Sequence, residues 1–76
     1  MIFIVAANHQ HAVFCAREER LHSDDWKYVR DAQVLRGVEG EVIFYETWVE
    51  HPEAREIAEV IKQLVKIGRL TVREVK

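Results

Sequence analysis

The sequence predicts an α/β fold: a four-stranded parallel sheet, in the order 2-1-3-4, with one helix on each side. Residues 2–7 and 41–45 are almost continuously apolar, as is typical of parallel strands whose two faces are both covered by helices. Each of these strands leads into a segment with helical character, so strand and helix alternate along the chain. Right-handed crossovers then place the first and third strands side by side in the centre. The predicted fold is a minimal Rossmann-like β-α-β-β-α-β unit.

The first helix is predicted over residues 8–21. Asn8 follows the first strand, and its side-chain oxygen is suited to accept a backbone N–H of the first helical turn. Every residue from Ala12 to Ala16 is apolar, which is more apolar surface than a single stripe facing a sheet requires. Either the chain covers this helix on a second side or a partner does. We expect Phe14 to make such a partner contact.

The middle of the chain predicts two strands with a turn between them. Residues 26–30 alternate in polarity before Asp31, which suits a short second strand. Residues 32–36 are consistent with one helical turn, and the glycines at both ends of residues 37–40 predict a change of chain direction. The third strand is predicted from residue 41 to residue 45.

The second helix is predicted over residues 52–67. Pro52 suits a first helical position, and the acidic residues that follow it suit the positive end of the helix dipole. The apolar residues occupy one face, which Val60 and Ile67 widen to about half of the circumference. Gly68 is positioned to end the helix.

The last strand is predicted over residues 70–75. Its apolar and polar residues alternate, which indicates a half-buried strand at one edge of the sheet. Charged side chains protect such an edge from pairing with another chain. The charged residues here are Arg69, Arg73, Glu74 and Lys76.

Composition restricts the class of protein. A chain of 76 residues is expected to form one domain with a small core, and such a core favours association with a partner or a second copy. The net charge of -2, with acids and bases mixed along the chain, argues against a nucleic-acid binder.

Cysteine usage and the N-terminal sequence predict a cytoplasmic location. The single cysteine, Cys15, cannot form an internal disulfide, which indicates a reducing compartment. The apolar N-terminal run lacks a preceding basic segment and a cleavage site, so we expect no signal peptide. No apolar run approaches the ~20 residues that span a bilayer.

The carboxyl ends of the strands are the expected position of any ligand site, because open parallel sheets bind ligands there. The turn from the first strand into the first helix contains no glycine, so it lacks the sequence patterns that wrap phosphate groups in common nucleotide sites. We therefore expect no nucleotide cofactor. The residues predicted at this edge are Asn8, His9, Asp31, Glu46, Thr47 and Trp48.

The sequence predicts neither a metal site nor a catalytic residue. The four histidines have no pair at the i, i+4 spacing of a helical zinc site, and solvated or helix-capping roles are expected for them. His11 lies four residues before Cys15 and would share its helix face. A cysteine in the middle of a helix nevertheless lacks the cationic surroundings that activate a thiol, so we expect Cys15 to be a small buried side chain.

The chain contains, in this order, Ile4-Val-Ala-Ala-Asn8, Asp25-Trp-Lys-Tyr-Val29, Val34-Leu-Arg-Gly37, Gly40-Glu-Val-Ile-Phe44 and Trp48-Val-Glu-His-Pro52. This ordered set covers most of the chain and resembles small uncharacterised proteins encoded by actinobacterial phages. The resemblance implies a phage-encoded α/β protein in the bacterial cytoplasm. Such proteins often bind host factors, and some are toxic to the host.

Three functional hypotheses follow from the sequence. The first is a non-enzymatic binding module that acts through protein–protein contacts with a second copy or a bacterial host factor. Its expected contact residues are Phe14, Val60 and Ile67. The second is a degenerate nucleotide- or anion-binding domain with its site at the carboxyl ends of the strands. The third is a nucleic-acid accessory protein that uses Lys27, Arg30 and Arg36.

Overall fold

A computed structural model describes residues 1–75. The four strands form one sheet in the order β2-β1-β3-β4, and all three pairs of neighbouring strands are parallel. The fold class and the strand order are therefore as predicted from the sequence. The elements are β1 (Ile2–Val5), α1 (His9–Glu18), β2 (Trp26–Tyr28), β3 (Gly40–Tyr45), α2 (Ala54–Lys66) and β4 (Leu70–Val75), with short 3₁₀ turns at Ala32–Leu35 and Trp48–Glu50.

The two faces of the sheet carry separate apolar clusters, one under each helix. Side chains alternate across a strand, so neighbouring residues of β1 and β3 enter opposite clusters. Phe3 and Val42 pack with Ile57 and Ile61 of α2. Ile4 and Ile43 pack with Ala12, Cys15 and Ala16 of α1. This arrangement confirms that the helices lie on the two sides of the sheet.

The first helix ends earlier than predicted, at Glu18 instead of residue 21. Arg20 adopts a left-handed backbone conformation with a φ of 56°. The N–H of Arg20 donates to the Arg17 carbonyl, and the N–H of Leu21 donates to the Ala16 carbonyl. These two bonds form a helix-terminating motif that usually contains glycine. Leu21 then packs against the cluster under α1.

The second helix begins later than predicted, at Ala54 instead of Pro52. Residues 51–53 form a turn, in which the Ala54 N–H donates to the His51 carbonyl oxygen. At the other end, Gly68 has a φ of 80° and follows the last helical residues, as the sequence predicted. The second strand is also shorter than predicted and ends at Tyr28.

The edge strand β4 is more exposed than its alternating sequence predicted. Leu70 is buried, whereas residues 71–74 are all exposed. Two helices cover the central strands of a four-stranded sheet, so the outer strand is left largely uncovered. Arg73 forms ion pairs with Glu19 and Glu41 and thereby anchors β4 to its neighbours. Lys76, which was also predicted to protect this edge, lies outside the described residues.

Candidate functional site

The carboxyl ends of all four strands lie along one edge of the sheet, called the carboxyl edge below. At its centre, three polar side chains hold the β1–α1 turn against the end of β3. The Asn8 Oδ1 accepts the N–H of His11 at 2.9 Å. Thr47 Oγ1 accepts the N–H of Ala7 at 3.3 Å and lies 2.8 Å from His11 Nδ1.

These hydrogen bonds occupy two of the backbone N–H groups that a bound anion could use at this point. A phosphate at the start of a helix needs free backbone N–H groups. The N–H groups of Ala7 and His11 are both engaged by side chains of the same chain. Asn8 and Thr47 were predicted at this edge, and the structure brings them together through His11. His11 was missed as an edge residue, although its position three residues after the helix cap places it in the first turn.

A buried histidine joins the β3–α2 connection to the end of β2. His51 is 5% exposed. Its Nδ1 accepts the N–H of Glu53 at 2.9 Å, and its Nε2 lies 2.9 Å from the carbonyl oxygen of Val29. Because Nδ1 is an acceptor, Nε2 carries the proton and donates to Val29. His51 is thus neither solvated nor the N-cap of α2, which is Glu53, and its ring instead stabilises the turn before that helix.

A basic cavity lies at the carboxyl end of β2. It has a volume of about 380 Å³, is open to solvent, and is lined by His9, Lys27, Tyr28, Arg30 and Val34. The His9 ring lies 5.6 Å from the Tyr28 ring and 6.0 Å from the Trp26 ring. Burial raises the pKa of Tyr28, so its phenol stays neutral to a higher pH than an exposed tyrosine does.

Asp31 was predicted at the same edge, but it has a structural role. Its Oδ1 accepts the N–H groups of Gln33 and Val34 and so begins the first 3₁₀ turn. Its Oδ2 lies 3.6 Å from Arg30 Nε in an exposed ion pair. Exposed pairs of this kind contribute little to stability.

An acidic cavity lies at the carboxyl ends of β3 and β4. It has a volume of about 320 Å³ and is also open to solvent. The Trp48 ring packs edge-on against Phe44, with ring centroids 4.7 Å apart. Glu46 and Glu74 are exposed, and among residues 1–75 no Lys, Arg or His lies within ion-pair distance of either carboxylate. The complete lining is Phe44, Tyr45, Glu46, Trp48, Glu74 and Val75.

Tyr45 connects this cavity to α1. Its hydroxyl donates to Glu18 Oε1 at 3.4 Å. Burial, together with the carboxylates of Glu18 and Glu46, raises the pKa of Tyr45. Apart from Asp31, the predicted edge residues are therefore divided among three places: Asn8 and Thr47 at the centre, His9 in the basic cavity, and Glu46 and Trp48 in the acidic cavity.

The three residues predicted for a protein interface do not form one surface. Phe14 is 40% exposed and stacks on His11, on the α1 side of the sheet. Ile67 is 65% exposed and lies at the end of α2, on the other side. Val60 is half-buried and packs against the cluster under α2. Val60 therefore contributes to the chain's own core.

Cys15 is fully buried on the inner face of α1. Burial, with smaller contributions from the carboxylates of Glu19 and Glu18, raises the pKa of the Cys15 thiol to about 11. The thiolate is the reactive form of cysteine. The position of Cys15 agrees with the expected buried side chain, and its raised pKa favours the prediction that the thiol is unreactive.

Among residues 1–75, no three His, Cys, Asp or Glu side chains approach one another closely enough to hold a metal ion. Neither helix in this part of the chain has the length and apolar character needed to cross a bilayer. Comparison with family models, with curated proteins and with solved structures gave no significant match.

Proposed function

We propose that the chain is a non-enzymatic binding module that acts through protein–protein contacts at the carboxyl edge of its sheet. One observation carries the proposal. At the point where parallel sheets bind small ligands, the polar groups of Asn8, His11 and Thr47 bond to the chain itself. The surface on either side is open and carries aromatic side chains and an arginine, which are enriched in protein interfaces, beside charged side chains that suit the polar rim of an interface.

The contact between His11 and Thr47 is better explained as structural than as catalytic. A hydroxyl nucleophile needs a base that is itself oriented by a third group. Within residues 1–75, His11 forms a side-chain hydrogen bond to Thr47 alone, and the Thr47 oxygen also accepts the Ala7 N–H. This arrangement supports a role in joining the β1–α1 turn to β3.

The resemblance to actinobacteriophage proteins supports a partner in the cytoplasm of a bacterial host.

A residue-specific photo-crosslinker tests the proposal. The reporter position is Val49, which is 64% exposed in the 3₁₀ turn after β3. The control position is Glu59, which is exposed on α2. In bacterial cells we expect a crosslinker at position 49 to form discrete protein adducts and one at position 59 to form few. The adducts from position 49 are expected to be lost when the chain also carries Trp48→Ala.

Adducts that form equally at both positions, or no adduct from position 49, would contradict the proposal. Mass spectrometry of the adduct identifies its second component. That component is either a host protein or another copy of the chain.

A second candidate function is anion binding in the basic cavity. Lys27 and Arg30 line this cavity beside His9, the first residue of α1. Arg36 is not among the lining residues, so the three basic residues considered for nucleic-acid contact do not line a common cavity. Titration with inorganic phosphate, compared between the native chain and a Lys27→Gln/Arg30→Gln variant, distinguishes a specific anion site from general charge attraction.

A further inference from the structure

The two cavities of the carboxyl edge carry opposite charge. The basic cavity contains Lys27 and Arg30 at the end of β2. The acidic cavity contains Glu46 and Glu74 at the ends of β3 and β4. We infer that the carboxyl edge docks against the same edge of a second copy, so that the basic cavity of each chain faces the acidic cavity of the other. This inference rests on the proposed function and names its partner.

The strand order determines how the two copies are related. With neighbouring strands about 4.8 Å apart, β2 and β4 lie at opposite ends of the edge. A two-fold axis normal to the sheet at the middle of the edge places the end of β2 in one copy opposite the end of β4 in the other. A two-fold axis running along the edge would instead place like charges together. The charge pattern therefore selects the first arrangement, in which every contact occurs twice.

The side chains at the two ends suit such a contact. The long side chains of Lys27 and Arg30 would face the carboxylates of Glu46 and Glu74, which have no cationic partner within residues 1–75. Trp48 lines the same cavity, and a guanidinium that packs against an aromatic ring is favoured when the cation is desolvated. The existing ion pair of Arg30 with Asp31 is exposed, so its exchange for a new partner costs little.

A second copy is favoured over an unrelated basic or acidic partner because this chain supplies both halves of the complementary surface. The chain measures 29 × 23 × 20 Å, which limits an end-on contact to roughly 500 Å² per copy. That is below the standard size of a specific interface. We therefore expect weak association that is strongest at low salt and is suppressed at high salt.

Sedimentation of two charge-reversed variants tests the inference. Lys27→Glu/Arg30→Glu makes both cavities acidic, and Glu46→Lys/Glu74→Lys makes both basic. Each variant alone is expected to associate at least about tenfold more weakly than the native chain. An equimolar mixture is expected to recover association as a heterodimer, because each acidic cavity then faces a basic one.

Matched controls distinguish the effect of where the charges lie from the effect of the net charge of the chain. Glu56→Lys/Glu59→Lys and Lys62→Glu/Lys66→Glu make the same changes in net charge at exposed positions on α2. Both are expected to associate as the native chain does. Circular dichroism establishes that every variant is folded before its association is measured.

Several results would overturn the inference. The first is a native chain that stays monomeric at high micromolar concentration in low salt. The second is an equimolar mixture of the two folded charge-reversed variants that fails to associate. The third is association that neither charge reversal affects. Loss of association in Phe14→Glu, with no effect of the charge reversals, would place the interface on the flank of α1. None of these outcomes contradicts the proposed function, which fails if crosslinking from position 49 finds no protein partner or if positions 49 and 59 form adducts equally.

Discussion

His51 donates its Nε2–H to the carbonyl oxygen of Val29, 2.9 Å away, and both residues are buried. The same ring accepts the N–H of Glu53 through Nδ1. One imidazole therefore satisfies a backbone acceptor after β2 and a backbone donor before α2. His51 therefore fixes the connection between β3 and α2 to the end of β2, beside Tyr28 of the basic cavity.

Replacement of His51 is expected to destabilise the fold. His51→Ala leaves a buried carbonyl and a partly buried N–H without partners, which we expect to lower the free energy of unfolding by about 2–3 kcal/mol. His51→Asn retains an acceptor near Nδ1, and His51→Gln retains a donor near Nε2, so each should recover part of the loss. Urea denaturation measures the differences. His22→Ala, at an exposed position, serves as the control, and an equal loss in that variant would contradict the explanation.

Gly40 is expected to resist substitution more strongly than Gly68. A Cβ on Gly40 would lie 2.2 Å from the carbonyl oxygen of Met1, and the φ of Gly40 is 140°. The Met1 carbonyl also accepts the N–H of Glu41, so relief of the clash would disturb the start of the β1–β3 pairing. We expect Gly40→Ala to cost about 2–4 kcal/mol.

Gly68 provides the matched comparison. It also has a positive φ, of 80°, but no atom outside Gly68 and its chain neighbours lies within 4 Å of the position that an added methyl group would take. Gly68→Ala therefore meets only the backbone penalty, which is about 1 kcal/mol. Urea denaturation measures the free energy of unfolding of both variants. Similar decreases in the two would show that Met1 moves away from the added methyl group at no energetic cost.

The sheet could be predicted from the sequence because the apolar patterns that determine it are local and periodic. Two nearly continuous apolar strands, each followed by a helical segment, determine a parallel sheet with helices on both faces. The helix ends could not be predicted with the same accuracy. Arg20 ends α1 in a conformation that usually indicates glycine, and the side chain of His51 stabilises an additional turn before α2.

The carboxyl edge could be predicted only in part. The topology rule identified Asn8, Thr47 and Trp48, because each immediately follows a strand or its turn. The grouping of charges was not predictable, since His9 and Lys27 come from different elements and meet only through the pairing of β1 with β2. The acidic cavity likewise depends on the pairing of β3 with β4.

The chain is expected to bind ATP or GTP no more tightly than inorganic phosphate. The β1–α1 turn contains no glycine, and the N–H groups of Ala7 and His11 already have partners. A phosphate chain therefore lacks both the glycines and these two N–H groups at this point. Calorimetric titration measures the affinities. A micromolar dissociation constant for a nucleotide, which corresponds to about 8 kcal/mol of binding, would contradict this expectation and favour the anion-binding function.

Cys15 is expected to react slowly with thiol reagents in the native protein. Its pKa of about 11, against an ordinary value of 9.0, lowers the thiolate fraction at pH 8 by about a hundredfold. Burial adds a second barrier, because the reagent has no access until α1 moves. Absorbance of the released thiol chromophore measures the rate with and without denaturant. Complete labelling of the native chain within seconds, at the rate of the unfolded chain, would contradict the buried position.

The raised pKa values of Cys15 and of two tyrosines predict how the free energy of unfolding depends on pH in the alkaline range. The folded chain holds the protons of Cys15, Tyr28 and Tyr45 more tightly than the unfolded chain does. The unfolded state therefore loses protons first as the pH rises, and stability falls with pH wherever the folded state binds more protons. The contribution of Cys15 is fully present below pH 9 and is lost progressively between about pH 9 and pH 11. The tyrosines add a further decline that begins near pH 10.

Cys15→Ala separates these contributions. The variant loses some packing at every pH, but it is expected to lack the part of the decline that begins near pH 9 and to keep the part that begins near pH 10. Urea denaturation midpoints at several pH values between 8 and 11 therefore converge for the native chain and the variant as the pH rises. Tyr45→Phe, which also removes the hydrogen bond to Glu18, is expected to reduce the later decline alone. Parallel curves for the native chain and Cys15→Ala across this range would mean that the folded and unfolded states hold the thiol proton equally well, and would contradict the raised pKa of Cys15.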